Sequence, residues 1–213
     1  MDRAVSMRLA LLAVAASLAG GCQDTPRPSE TMPAYSPAWR DIATGRDRER
    51  LREWRTAFDK ALAAARRAGH SAEIDAQGAL LAPDSALGNP AIPDGRYHCR
   101  VIKLGAKSDG LLDYIAYPAF PCVIGRDGRL QRLDKVGGSQ RHVGILYAND
   151  AIRLVFLGTL ALGDETRAMQ YGQDETRDVA GYLERIGPQR WRLVMPYPAF
   201  ESLTDVLEIV PAP

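Results

Sequence analysis

Residues 139–163, SQRHVGILYANDAIRLVFLGTLALG, hold two apolar alternations separated by the triplet Ala148-Asn149-Asp150. Val143, Ile145 and Tyr147 alternate with small or polar residues, and Ile152, Leu154 and Phe156 do so again after the break. A period of two is that of an extended chain with one face buried. Two such runs joined by a short Asn/Asp connection predict a β-hairpin, because Asn149 or Asp150 tolerates the positive φ of a tight turn. Weaker strand segments on both sides share the period and have to pair with it. That places the hairpin at the centre of a sheet.

The chain has 213 residues, of which 46% are apolar, enough for one domain with a core plus appendages. Its start reads as an address. Arg3 and Arg8 precede an apolar run too short to span a bilayer, and the run ends in small residues at Cys22. Leu18-Ala19-Gly20-Gly21-Cys22 resembles the lipobox of bacterial lipoproteins, which implies cleavage before Cys22 and lipidation of its thiol. The alternative is an ordinary secretory signal with a free cysteine nearby. An Asp after the cysteine would resemble an inner-membrane retention signal. Gln23 stands there instead and favours the periplasmic side of the outer membrane, for a Gram-negative host.

Cysteine arithmetic agrees. With Cys22 lipidated, Cys99 and Cys122 remain as a pair in a compartment where disulfides persist; two free buried thiols are the alternative. A metal site is disfavoured, since only His98 lies beside these cysteines, and no cofactor fingerprint is present. The whole chain carries 27 basic and 26 acidic side chains. Removing residues 1–21 takes Arg3, Arg8 and Asp2 and leaves 25 of each. With no basic stripe interleaved with aromatics, nucleic acid is not an expected partner.

Residues 22–38 form a Pro-rich tether. Residues 39–213 then read as one domain, helical over 39–82 and antiparallel β over 96–210. From Thr44 to Ala68 the period becomes helical, with Leu51, Trp54, Phe58, Leu62 and Ala65 on one stripe and Gly69 at the C-terminal cap. A second short helix is expected over residues 71–82. Strands are expected around Tyr97–Val101, Tyr114–Tyr117, Phe120–Ile124, Leu130–Leu133, the central hairpin, Val179–Leu183, Trp191–Met195 and Val206–Val210, with a tight turn at Asp127-Gly128. The fold class is α+β, mainly β: helices packed on an antiparallel meander or barrel of about eight strands, because closure removes exposed edges.

The segments GRYHCRVIKLG, LLDYIAYPAF, GSQRHVGILY, RLVFLGTLALGDE, YGQDETRDVAGYLERIG and RWRLVMPYPAFESLTDVLEIVP resemble those of an uncharacterised bacterial envelope family, domain of unknown function 4893. The resemblance runs from about Trp39 onward. It implies a single domain of helix and sheet, and no activity. The strand count also looks like that of lipocalins and avidin-like protease inhibitors, by architecture alone.

Chemistry-bearing residues are few. Ser139, His142 and Asp164 make a poor triad, since Ser139 lies in no strand-to-helix elbow. Lys135, Ser139, Gln140 and Arg141 before the central strands, with Asp164, Glu165, Tyr171, Asp174, Arg177 and Asp178 after them, can meet at one rim of a meander. Solvated loops with weak ion pairs are the alternative. Arg141 and Arg177 are the preferred binders, as guanidiniums that grip carboxylates with two hydrogen bonds. The expected function is a lipid-anchored binding or interaction module, meeting a small ligand or another envelope protein. An envelope hydrolase using Asp164, Glu165 and Asp178, or Ser139 with His142, is the second hypothesis, and a purely structural assembly factor the third. A roomy cavity with Arg141 or Arg177 pointing inward would support ligand binding. An interior filled by Trp191, Phe156, Leu193 and the helix stripe would exclude a lipocalin-like role and direct the search to protein partners.

Overall fold

The computed structural model describes residues 38–213; the expected signal peptide, Cys22 and nearly all of the expected tether lie outside the described residues. Nine antiparallel strands follow one another from Gly95: β1 Gly95–Ala106, β2 Tyr114–Ala116, β3 Phe120–Asp127, β4 Leu130–Lys135, β5 Gln140–Ala148, β6 Arg153–Leu162, β7 Asp178–Gly187, β8 Arg190–Pro196 and β9 Ser202–Pro211. The central hairpin is β5–β6, in register from Gln140↔Leu162 to Ala148↔Leu154. Its turn is set by Asp150, whose carboxylate accepts from the Ile152 and Arg153 amides. β1 pairs along its length with β9, so β1 and β3–β9 close into an eight-stranded barrel, and β2 flanks the second half of β1. Every edge except the short β2 is thereby paired.

The disulfide Cys99–Cys122 joins β1 to β3 at a Cα separation of 5.8 Å. Closing this loop stabilises the fold by about 3 kcal/mol in the chain-entropy model. Inside, Cys99, Val101, Ile124, Leu133, Leu146, Phe156, Leu183, Trp191, Leu193, Leu207 and Ile209 form one cluster that fills the middle of the barrel.

The helices pack outside it. The expected single helix over 44–68 is two, α2 (Gly45–Arg52) and α3 (Trp54–Arg67), after a one-turn α1 (Trp39–Ile42). Its apolar stripe serves two different walls, which explains the break at Glu53. Leu51 packs with Trp39, Val155 and Ala180, whereas Phe58, Ala61, Leu62 and Ala65 pack on the outward residues Ile102, Leu104, Val194 and Val206 of β1, β8 and β9. The second expected helix is also divided, into α4 (Ser71–Ala76) and a 3-10 turn at Gly78–Leu80.

One face assignment is inverted. Val143, Ile145 and Tyr147 point outward from β5, while His142, Gly144 and Leu146 face the interior opposite Leu160, Gly158 and Phe156. Both faces of this hairpin carry apolar residues, because α1 and the 164–171 connection shelter its outer side. Apolarity alone therefore could not choose the inward set.

Candidate functional site

The barrel wall is incomplete in one place. β3 begins at Phe120, opposite Cys99, and beyond it β1 is flanked on that side by the three-residue β2, whose outer edge is unpaired. The inward residues that continue past this point are charged or polar. Lys103 extends the run Cys99-Val101, Lys135 follows Leu133 on β4, His142 follows Leu146 and Gly144 on β5, and Asp205 precedes Leu207 on β9. Lys103, Lys135 and His142, together with Tyr117, Phe120, Gly138, Ser139, Gln140 and Glu201, surround a pocket of about 140 Å³ at the barrel mouth, with Asp205 behind Lys103. That volume holds several waters or a ligand of small-metabolite size.

The two lysines differ. Lys103 Nζ lies 3.2 Å from Asp205, 3.0 Å from Glu201 and 3.1 Å from Gln140 Oε1. Burial disfavours its charge, but Asp205 and Glu201 outweigh that and hold its pKa above the usual lysine value. Asp205, fully buried, also accepts from Ser202 Oγ, and burial still pushes its carboxyl upward. Lys135 has no carboxylate among the described residues. The residue is 4% exposed, and its ammonium donates to the Gly137 and Gln140 carbonyls and sits 4.5 Å over the Phe120 ring. Carbonyls and a ring face stabilise a cation without neutralising it. Burial, with Arg141 nearby, lowers its pKa to about 8. Gly138 is needed at this turn: its φ is +85°, and a β-carbon there would lie 2.9 Å from Lys135 Nζ.

His142 is fully buried, its Nδ1 lacks a hydrogen-bond partner among the described residues, and burial plus the two lysines depress its pKa to about 3. This fixes a pH dependence. The unfolded chain protonates this imidazole near 6.5 and the folded chain near 3, so between those values the unfolded state holds more protons and stability falls as pH falls. Urea unfolding at pH 7 and pH 5 should show the native protein losing about 2 kcal/mol more than His142→Gln. Equal losses would contradict the burial of this ring.

The residues singled out in the sequence do not meet in one place. Lys135 and Gln140 are at the mouth. Arg141, Tyr171 and Glu165 line an outer groove of about 760 Å³ on β4–β6, over Val143, Ile145, Tyr147, Leu157 and Thr159. Neither arginine points into the barrel. Arg141 donates to the Gly163 and Glu165 carbonyls at 2.6 and 2.5 Å, and Arg177 holds the Glu165 carboxylate at 3.0 Å, keeping that acid below its usual range. Both latch the 163–177 connection onto the sheet. Tyr171 and Asp178 belong to a junction with α2: Tyr171 Oη donates to Asp47 at 2.7 Å, and Asp178 accepts from the Gly172 amide at 2.9 Å while its carbonyl accepts from Arg50 at 3.1 Å. Asp164 is exposed, and Asp174 caps its own turn through Thr176. The carboxylates Asp164, Glu165 and Asp178 thus do not converge. Ser139 and His142 share the mouth with no hydrogen bond between them among the described residues, and an imidazole of such low basicity is a poor general base.

The reading from sequence missed Lys103, Phe120, Glu201 and Asp205. For Lys103 and Asp205 a signal existed: each continues an inward, period-two apolar run by one step.

Trp191, Phe156 and Leu193 fill the interior as one of the two alternatives required, but the helix stripe lies outside. The middle of the barrel is thus no lipocalin-like calyx, and the pocket lies at its mouth. A family profile described as Domain of unknown function (DUF4893) matches residues 39–209. No curated protein and no solved structure matches the chain.

Proposed function

The chain belongs to the family described as Domain of unknown function (DUF4893), which brings no activity with it, and on that footing we propose that it is a lipid-anchored envelope module that binds a small anion at the barrel mouth. The observation that carries this is Lys135: a buried ammonium with no carboxylate among the described residues, beside a buried His142 with an unpartnered Nδ1. An isolated buried charge is costly, and an anionic ligand is the partner that would offset it. The lipobox-like sequence at Cys22, the Cys99–Cys122 disulfide and the Pro-rich segment after Cys22 support attachment on the periplasmic side of the outer membrane. Metabolic labelling with an alkyne fatty acid should mark the protein and leave Cys22→Ser unmarked; labelling that survives the substitution sinks the anchor.

Lys135→Met is nearly isosteric and removes the charge. Isothermal titration with benzoate and with inorganic phosphate should show binding by the native protein and at least a tenfold loss in Lys135→Met, about 1.4 kcal/mol, with circular dichroism unchanged. Absence of binding by either anion would overturn the proposal. A second reading, an interaction surface for another envelope protein, is favoured by the outer groove, where Val143 and Ile145 are only half-buried and Met169 is exposed. Among the described residues, neither the Asp164, Glu165 and Asp178 carboxylates nor Ser139 with His142 converge in a way that supports the hydrolase hypothesis.

A further inference from the structure

We infer that the ligand of the mouth is a carboxylate with a compact apolar body, and that Glu201 occupies the place of its carboxylate in the empty protein. This rests on the mouth being a binding site, as proposed above.

Charge is distributed unevenly there. Lys103 holds two carboxylates, Asp205 at 3.2 Å and Glu201 at 3.0 Å, while Lys135 holds none. The two ammoniums converge on one residue, Lys103 on the Gln140 side chain and Lys135 on the Gln140 carbonyl. Asp205 is 3% exposed and is also fixed by Ser202, so it is the permanent partner of Lys103. Glu201 is the surplus one. Its side chain is 43% exposed and its carboxylate is at the solvent edge of the pocket. Its backbone is held still, with its carbonyl accepting from the Lys107 amide at 2.9 Å, so the side chain can leave without moving β9. Its φ of +63°, in the left-handed region that a non-glycine residue rarely adopts, is the kind of conformation retained where function requires it.

The pocket therefore already shows what it binds. A carboxylate of this chain rests on Lys103, and a ligand carboxylate entering between the two lysines would take that position, gain Lys135 and displace Glu201. The apolar walls, Phe120, Tyr117 and Val101, would meet the rest of the ligand. Phosphate, with no apolar part, would not use them.

The test compares Glu201→Gln with the native protein in isothermal titrations of benzoate, butyrate and inorganic phosphate. Glu201→Gln removes the competing charge and keeps the side-chain length, so benzoate should bind about tenfold more tightly, with Lys103→Met losing binding. Benzoate should also bind more tightly than phosphate. Equal or weaker benzoate binding by Glu201→Gln would overturn the role given to Glu201. Binding of phosphate in preference to both carboxylates would overturn the ligand class and leave the mouth as an anion site. If no anion binds either protein, the site and this inference fall together.

Discussion

Arg192→Met is expected to destabilise the protein by about 3–5 kcal/mol. The side chain is wholly buried on β8, yet it does not face the barrel interior. Its guanidinium pairs with buried Glu184 at 2.7 Å and donates to the carbonyls of Ala79, Leu80, Ala82 and Pro83 at 2.7–3.1 Å. Those carbonyls end the 3-10 turn, and one planar fork gathers them onto the sheet. Burial outweighs Glu184 and lowers the Arg192 pKa, and the desolvation of a buried ion pair offsets much of its attraction. The loss comes from leaving Glu184 with Arg153 alone and several carbonyls without a donor. Arg192→Lys should recover only part, since an ammonium lacks the fork. Arg55 is the control. It holds Asp84 at 2.6 Å and Asp59 at 3.0 Å, but all three are largely exposed, and Arg55→Ala should cost under about 1 kcal/mol. Urea unfolding measures all three variants; a loss below about 1 kcal/mol for Arg192→Met would show that the 79–83 segment is held by something else.

Gly144→Ala should cost at least about 3 kcal/mol or prevent folding. On the interior face of the central hairpin, Gly144 and Gly158 are directly opposed. A β-carbon on Gly144 would lie 2.5 Å from the Gly158 Cα, 2.5 Å from the Leu157 carbonyl oxygen and 2.7 Å from the Phe156 ring. Two of those neighbours are backbone, so trimming Phe156 would not relieve the clash. Gly158→Ala should behave alike, since its β-carbon would overlap the Val143 carbonyl. Together with Gly181 opposite Phe156, these glycines provide the room in which the Phe156 ring fills the barrel. Gly125, on β3 with nothing within 4 Å of its β-position, should accept alanine with a change under about 0.5 kcal/mol. Comparable losses at Gly125 and Gly144 would contradict the interior packing.

These glycines also show where sequence reading stops. The strands, the hairpin and the disulfide were legible, because period two, turn residues and cysteine parity are local signals. The direction of β5 was not. Val143, Ile145 and Tyr147 are the more apolar set, but the interior next to Phe156 has space only for Gly144, a constraint set by strands that are distant in sequence. The helix break at Glu53 has the same origin, since nothing local announces that Leu51 and Phe58 serve different walls. At the mouth, Lys135 and Gln140 stood out as polar residues bracketing a turn. Lys103, Asp205 and Glu201 did not, because their meaning depends on β1 and β9 closing the barrel. Arg141 and Arg177 drew attention for their chemistry, and the fold uses them to fasten a loop.

The most direct test of the mouth as a binding site is amide chemical-shift mapping of residues 39–213 during a benzoate titration. Perturbations concentrated at Val101, Lys103, Lys135, Ser139, Gln140 and His142 are the expected result. Shifts confined to Val143, Ile145, Tyr147 and Tyr171 would move the site to the outer groove, and an unchanged spectrum at saturating benzoate would contradict anion binding at the mouth.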